Sequence, residues 1–140
     1  MKKKAFTPEF WRYVIDSSSL INIEQKTGVR SLEQRKGAIL LSEKVAYEVA
    51  HHPKIKKTDL LRQFVLRNPQ VITQFQDDEG KEYLKILQQQ GIDPGEASAM
   101  AIALKRNLTL IIDERNTKAT GKANNHGIKT LRWQEFLKRC

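Results

Sequence analysis

The chain has 140 residues, 39% of them apolar and 29% charged, a size and balance suited to one compact domain and too small for two independent cores. Lys and Arg outnumber Asp and Glu by 25 to 16, and the resulting net charge of +9 attracts polyanions without bearing on the fold. No run reaches the roughly 18 apolar residues of a membrane span, Thr7, Pro8, Glu9 and Arg12 interrupt any leader-like segment after the basic start, and the lone Cys140 rules out an internal disulfide or thiolate metal site. A cytoplasmic protein without membrane attachment is expected, with nucleic acid as the natural polyanionic partner.

Trp11-Arg12-Tyr13-Val14-Ile15 is rich in β-formers and runs into Asp16, Ser17-Ser18-Ser19 and Leu20-Ile21-Asn22-Ile23, which predicts strand, sharp turn and helix. Ala38-Ile39-Leu40-Leu41 predicts a second buried strand, and Ser42 is a suitable cap for a helix over 43–50 that stops near Pro53. A helix is expected over 57–66, with Thr58 or Asp59 in its first turns, before Asn68-Pro69 breaks the pattern. Residues 71–75 fit a strand or the lead into a helix equally well. Residues 78–90 read as a helix with Tyr83, Leu84 and Leu87 on one side, ended by Gly91. Asp93-Pro94-Gly95-Glu96 opens an Ala-rich helix to about Arg106, and Leu108-Thr109-Leu110-Ile111-Ile112 is a buried strand ending in Asp113. A polar helical stretch to about Asn125, a turn at Gly127, a strand over 128–131 and a helix from Gln134 complete the chain. Strands alternating with helices, with no repeat or linker, predict a single-domain, three-layer α/β fold: a central, mainly parallel sheet flanked by helices.

Two apolar runs end in an aspartate, and in an open parallel sheet the carboxyl ends of the strands form the ligand-binding edge. Asp16 and Asp113 meet there if their strands are neighbours. Asp16 is equally suited to cap the helix that follows it, and Glu96 sits three residues after Asp93 in the spacing of a capping box. Glu48, on the helix after Leu41, has the ordinary reading of a solvated surface acid. All four acids together form a more informative pattern. Two carboxylates about 4 Å apart repel by roughly 4 kcal/mol at an effective dielectric near 20, so such a cluster needs protons or a hard cation. Mg²⁺ or Mn²⁺ would suit it, since both prefer oxygen ligands and phosphate.

Val14-Ile15-Asp16-Ser17-Ser18-Ser19-Leu20-Ile21 resembles the opening of PIN domains, and Ser42-Glu43-Lys44-Val45-Ala46-Tyr47-Glu48-Val49 resembles their second acidic motif. Gly95-Glu96-Ala97-Ser98-Ala99-Met100-Ala101 is similar to the Gly-Glu-Ala start of the third, and Leu110-Ile111-Ile112-Asp113-Glu114-Arg115 to the fourth. The order is the family's and the motifs span nearly the whole chain. The resemblance, closest to VapC-type toxin ribonucleases of a Gly-Glu-Ala subgroup, implies a Rossmann-like fold, a Mg²⁺ or Mn²⁺ cofactor and endonucleolytic RNA cleavage. It further implies RNA as substrate, a protein antitoxin as partner and possible homodimerisation. Asp16, Glu48, Glu96 and Asp113 would be the catalytic residues, with Asp16, Glu96 and Asp113 as the main metal ligands. Ser18 would support Asp16 by hydrogen bonding. The segment after Asp113 departs from the family's compact Ala-Arg pair, and Asn116 stands where a further acid would support the site.

Arg115, Lys118 and Lys122 follow Asp113 and are candidate RNA-phosphate contacts, since residues 101–140 hold nine Lys or Arg against three acids. His51 and His52 do not complete a zinc site without cysteines nearby. Trp11 and Trp133 are expected in the core or at its rim. Two other functions fit the same residues: a PIN-type nuclease of RNA processing or DNA repair without an antitoxin, and a non-catalytic basic nucleic-acid-binding module whose acids are caps and surface groups.

Overall fold

Five short apolar runs pair into one sheet in the computed structural model, which describes residues 13–51, 60–89, 92–113, 121, 123 and 126–139. The strands are β1 (Tyr13–Ile15), β2 (Ile39–Ser42), β3 (Ile72–Thr73), β4 (Thr109–Ile112) and β5 (Thr130–Arg132). Their order is β3-β2-β1-β4-β5 and every pairing is parallel. Helices cover both faces of such a sheet, so its inner strands read as unbroken apolar runs instead of alternating ones. Every residue of β1 and β2 is buried accordingly, as are the last three of β4.

The chain lays β1, β2 and β3 down in one direction, then returns to place β4 on the other side of β1. Strand order therefore reverses between β1 and β4, and the crevice at the carboxyl ends of strands at such a switch point is where open α/β sheets bind ligands. Asp16 and Asp113 each follow the last residue of one of these two strands.

Seven helices among the described residues flank the sheet: α1 (Ser17–Thr27), α2 (Val29–Gln34), α3 (Glu43–His51), α4 (Leu60–Arg67), α5 (Glu79–Leu87), α6 (Pro94–Arg106) and α7 (Trp133–Arg139). The Ala-rich α6 is the central one. Its residues from Gly95 to Ala103 are all buried, and it packs against β1, β2 and β4 as well as α3 and α5. A helix apolar on all sides belongs inside, and small side chains let its neighbours come close. Asn107 ends it in the left-handed conformation at φ 57°, which Asn tolerates better than most residues.

Most element expectations hold, and the differences are local. Residues 71–75 become the end of a 3₁₀ turn, Pro69–Val71, followed by the two-residue β3. The last strand begins at Thr130, three residues after Gly127 turns the chain at φ +80° and two after Ile128 enters the core. Trp133 is buried as expected, whereas Trp11, residues 52–59, Gly91 and most of the polar stretch before Asn125 lie outside the described residues.

In α5 the expected inward face is only partly right, since Leu84 is 57% exposed and the buried residues are Glu79, Glu82 and Ile86. The acids turn inward because α6 supplies cations. Arg106 Nε donates to Glu79 Oε2 at 2.6 Å, its Nη2 donates to Glu79 Oε1 and the Gln74 carbonyl, and Nη1 donates to Thr73 Oγ1. Lys105 Nζ stands 3.9 Å from Glu82. Removing one partner of such a pair leaves the other charge buried and uncompensated. Arg106→Gln is therefore expected to destabilise the fold by about 2 kcal/mol, measured by urea unfolding. A loss under about 0.5 kcal/mol, the usual size of a surface change, would contradict this account.

Candidate active site

The site begins where β1 stops. The Asp16 amide donates to the Ile111 carbonyl at 3.4 Å, extending the β1–β4 ladder by one step, and Ile15 lies opposite Ile111 in register. Asp113 follows Ile112 on the adjoining strand, so both carboxyls stand at the same edge; both are buried. Asp16 also caps α1: its Oδ1 accepts from the Ser19 amide at 2.8 Å. Capping and a buried position at this edge thus coexist in one residue. Burial pushes the Asp16 carboxyl up to about 6 from an ordinary 3.8, opposed by the bonds from Ser19 and reinforced by the charges of Asp113 and Asp93. Asn22, one and a half turns along α1, donates from Nδ2 to Asp113 Oδ2 at 2.8 Å. That buried bond ties the β4 carboxylate to the helix that Asp16 starts.

Glu48 reaches this edge from α3. Burial raises its pKa first, then the charge of Asp93, with Asp16 adding to the effect and the Ser17 hydroxyl opposing it. Its Oε1 is buried with no hydrogen-bond partner among the described residues. An unpaired buried acceptor is costly, and a cation or a water would satisfy it. The carboxyl fits there because residue 95 is glycine. A Cβ on Gly95 would lie 2.6 Å from Glu48 Cδ and 3.0 Å from its Oε2, and closer still to Oε1.

A serine pair holds the two helices at this separation. Ser98 Oγ donates to the Gly95 carbonyl at 2.7 Å, so its single proton is engaged and the 2.6 Å contact between Ser42 and Ser98 must use the Ser42 proton. Ser42 Oγ then accepts from the Val45 amide at 3.0 Å, capping α3 as its sequence position suggested. The chain of bonds runs from the first turn of α3 to the first turn of α6.

Glu96 and Asp93 form the capping box foreseen from their spacing: Asp93 Oδ1 accepts from the Glu96 amide at 2.9 Å, and Glu96 Oε1 accepts from the Asp93 amide at 3.3 Å. Glu96 is buried beside the edge, yet no three His, Cys, Asp or Glu side chains among the described residues stand close enough to hold an ion between them. The donor set still suits a hard cation: buried carboxylates with raised proton affinity and one orphaned oxygen.

Ser18, expected to support Asp16, is exposed on the first turn of α1; the Ser19 amide bonds Asp16 instead, and the Ser17 hydroxyl acts on Glu48. His51 is exposed and bonded through Nδ1 to the Tyr47 carbonyl, within its own helix. Asn116, Arg115, Lys118 and Lys122 lie outside the described residues, as does His52. Sequence reasoning missed Asn22, Asp93 as a source of field, and the Ser42–Ser98 pair. Asn22 carried a usable signal, since it lies six residues after Asp16 on a face otherwise formed by Ser19 and Ile23.

An all-parallel α/β sheet with acids gathered at its switch point defines a class of carboxylate-site proteins. Within that class the chain belongs to the PIN-domain family, whose pattern matches residues 12–132. PIN domains are generally nucleases, and the fold here is a nuclease fold. Among solved structures the chain is similar to PAE2754 from Pyrobaculum aerophilum, with a TM-score of 0.59 over 91% of this chain and 95% of that one. Identity is 12%, so that likeness concerns the fold alone. No curated protein matches. No helix among the described residues is long and apolar enough to cross a membrane.

Proposed function

We propose that this protein is a metal-dependent endoribonuclease that hydrolyses phosphodiester bonds in RNA. The observation that carries this reading is the pairing of buried Asp16 and Asp113 at the β1–β4 switch point, with Glu48 Oε1 unpartnered beside them. Asp16, Asp113 and Glu96 would hold Mg²⁺ or Mn²⁺ once binding draws them together, since as they stand no three acids among the described residues are close enough. When bound, such an ion supplies a Lewis acid that neutralises phosphate charge and activates water. Asn22 fixes the Asp113 carboxylate through Oδ2 and so would hold it at the edge where the ion binds. Glu48, whose Oε1 lacks a partner among the described residues, would orient the attacking water and accept its proton. The net charge of +9 draws RNA toward this acidic edge.

The reading extends, on the strength of the family resemblance, to the toxin of a toxin–antitoxin pair. Growth should stop on expression of the wild type but not of Asp113→Asn, and a small neighbouring gene should relieve the arrest.

The direct test is a thermal scan with and without Mn²⁺, alongside an RNA cleavage assay. A true site is stabilised by about 2.7 kcal/mol at a hundredfold excess of ion over Kd, and Asp113→Asn should lose most of that shift. Absence of both a Mn²⁺-dependent shift and cleavage would favour a non-catalytic nucleic-acid-binding role.

A further inference from the structure

The outer face of α3 continues the site. Glu43, Lys44, Tyr47, Glu48, Pro94 and Gly95 line an open cavity of about 500 Å³, so the two residues in closest approach at the carboxylate edge also form one wall of this space. Tyr47 is 64% exposed, but its ring is held: it stacks on His51 one turn later, with centroids 4.0 Å apart and planes 21° from parallel. His51 is anchored by the bond from Nδ1 to the Tyr47 carbonyl at 2.9 Å. Lys44, three residues before Tyr47 on the same face, holds its Nζ 5.1 Å from the Tyr83 ring centroid.

A pre-oriented aromatic ring beside a cation is the usual apparatus for an unpaired nucleotide, whose base stacks while its phosphate meets the charge. The lining carries two acids and one cation among the described residues, which suits an uncharged base inside the cavity and a phosphate outside it, toward Lys44. Among the described residues its one aliphatic side chain is Pro94, too little to clasp an apolar peptide helix. We propose that Tyr47, backed by His51, is a base-stacking subsite for a nucleotide of single-stranded RNA flanking the scissile bond.

This subsite rests on the nuclease reading, and the experiment separates the two. Short single-stranded RNAs, each with one abasic position, are titrated by fluorescence anisotropy into the cleavage-deficient Asp113→Asn protein with and without Tyr47 substitutions. Tyr47→Ala should weaken binding of the intact RNA about tenfold, and Tyr47→Phe should restore it. One abasic position should weaken binding by a similar factor, and that penalty should vanish in Tyr47→Ala, since ring and base contribute one shared interaction. Leu66→Ala, equally exposed but on α4, should bind like its parent. The proposal fails if Tyr47→Ala binds RNA as its parent does, the result expected if a protein covers this ring instead, or if every abasic penalty survives the substitution. Cleavage by wild type in Mn²⁺ is read separately: its failure would remove the nuclease reading, while anisotropy still decides whether Tyr47 stacks on a base.

Discussion

Asp16→Asn is expected to lower RNA cleavage by about a thousandfold or more while making the metal-free protein more stable. The carboxyl loses its proton near 3.8 when unfolded and near 6 when folded, so the folded state binds the extra proton between those values. Its contribution to stability is therefore fully present below about pH 3.8 and is lost as pH rises through about 6. At pH 7 the ionised group costs the fold about 3 kcal/mol relative to an unperturbed aspartate. Asparagine removes that cost and caps a helix as well as aspartate does, through the same bond from the Ser19 amide. In EDTA at pH 7 the variant should gain about 2 kcal/mol by urea unfolding, and the gain should shrink toward zero near pH 4. Mn²⁺ should stabilise the wild type and not the variant. A variant that loses stability at pH 7 and still cleaves RNA would show that Asp16 is only a cap.

Gly95→Ala should separate activity from folding in a different way. Alanine is favoured over glycine in a helix by about 0.5 to 1 kcal/mol, and the atom in its way is the end of the Glu48 side chain, which can rotate aside. The melting temperature should stay level or rise slightly. Glu48 would leave the carboxylate edge, and misplacement of a catalytic group by about 1 Å can cost about a hundredfold in rate. Cleavage should fall by that order. Shortening the displaced side chain with Glu48→Asp in the Gly95→Ala background should recover part of it. Wild-type rates in Gly95→Ala would mean that the Glu48 carboxylate has no part in the chemistry.

The fold was legible because its signals are local. Unbroken apolar runs of four or five residues mark the central strands, Ser42 and Asp93 mark helix starts, and the small residues after Gly95 mark a helix that goes inside. The strand-end aspartates were legible for the same reason. What escaped depends on contacts between distant segments. Leu84 looked like an inward residue because nothing near it announces that Arg106, more than twenty residues away, draws Glu79 to the core instead. Glu48 looked like the weakest of the four acids because an exposed helical glutamate and one lying on a glycine of another helix read alike. Asn22 and Ser98 are single polar residues inside helices, and their roles depend on Asp113 and Ser42, which only the sheet brings to them.

The switch point that gathers the acids also sets when they can meet. Pairing β1 with β4 closes a loop of nearly a hundred residues, a non-local contact that forms late because its entropy must be met before it stabilises anything. Until residues 109–112 are available, β1 has an open, apolar edge where its second neighbour belongs, and Asp16 has no Asp113 beside it. During synthesis the chain would carry an incomplete site for most of its length. The full set of acids thus comes together only once β4 has joined the sheet, and under the proposed function RNA cleavage would not begin while the chain is still being made.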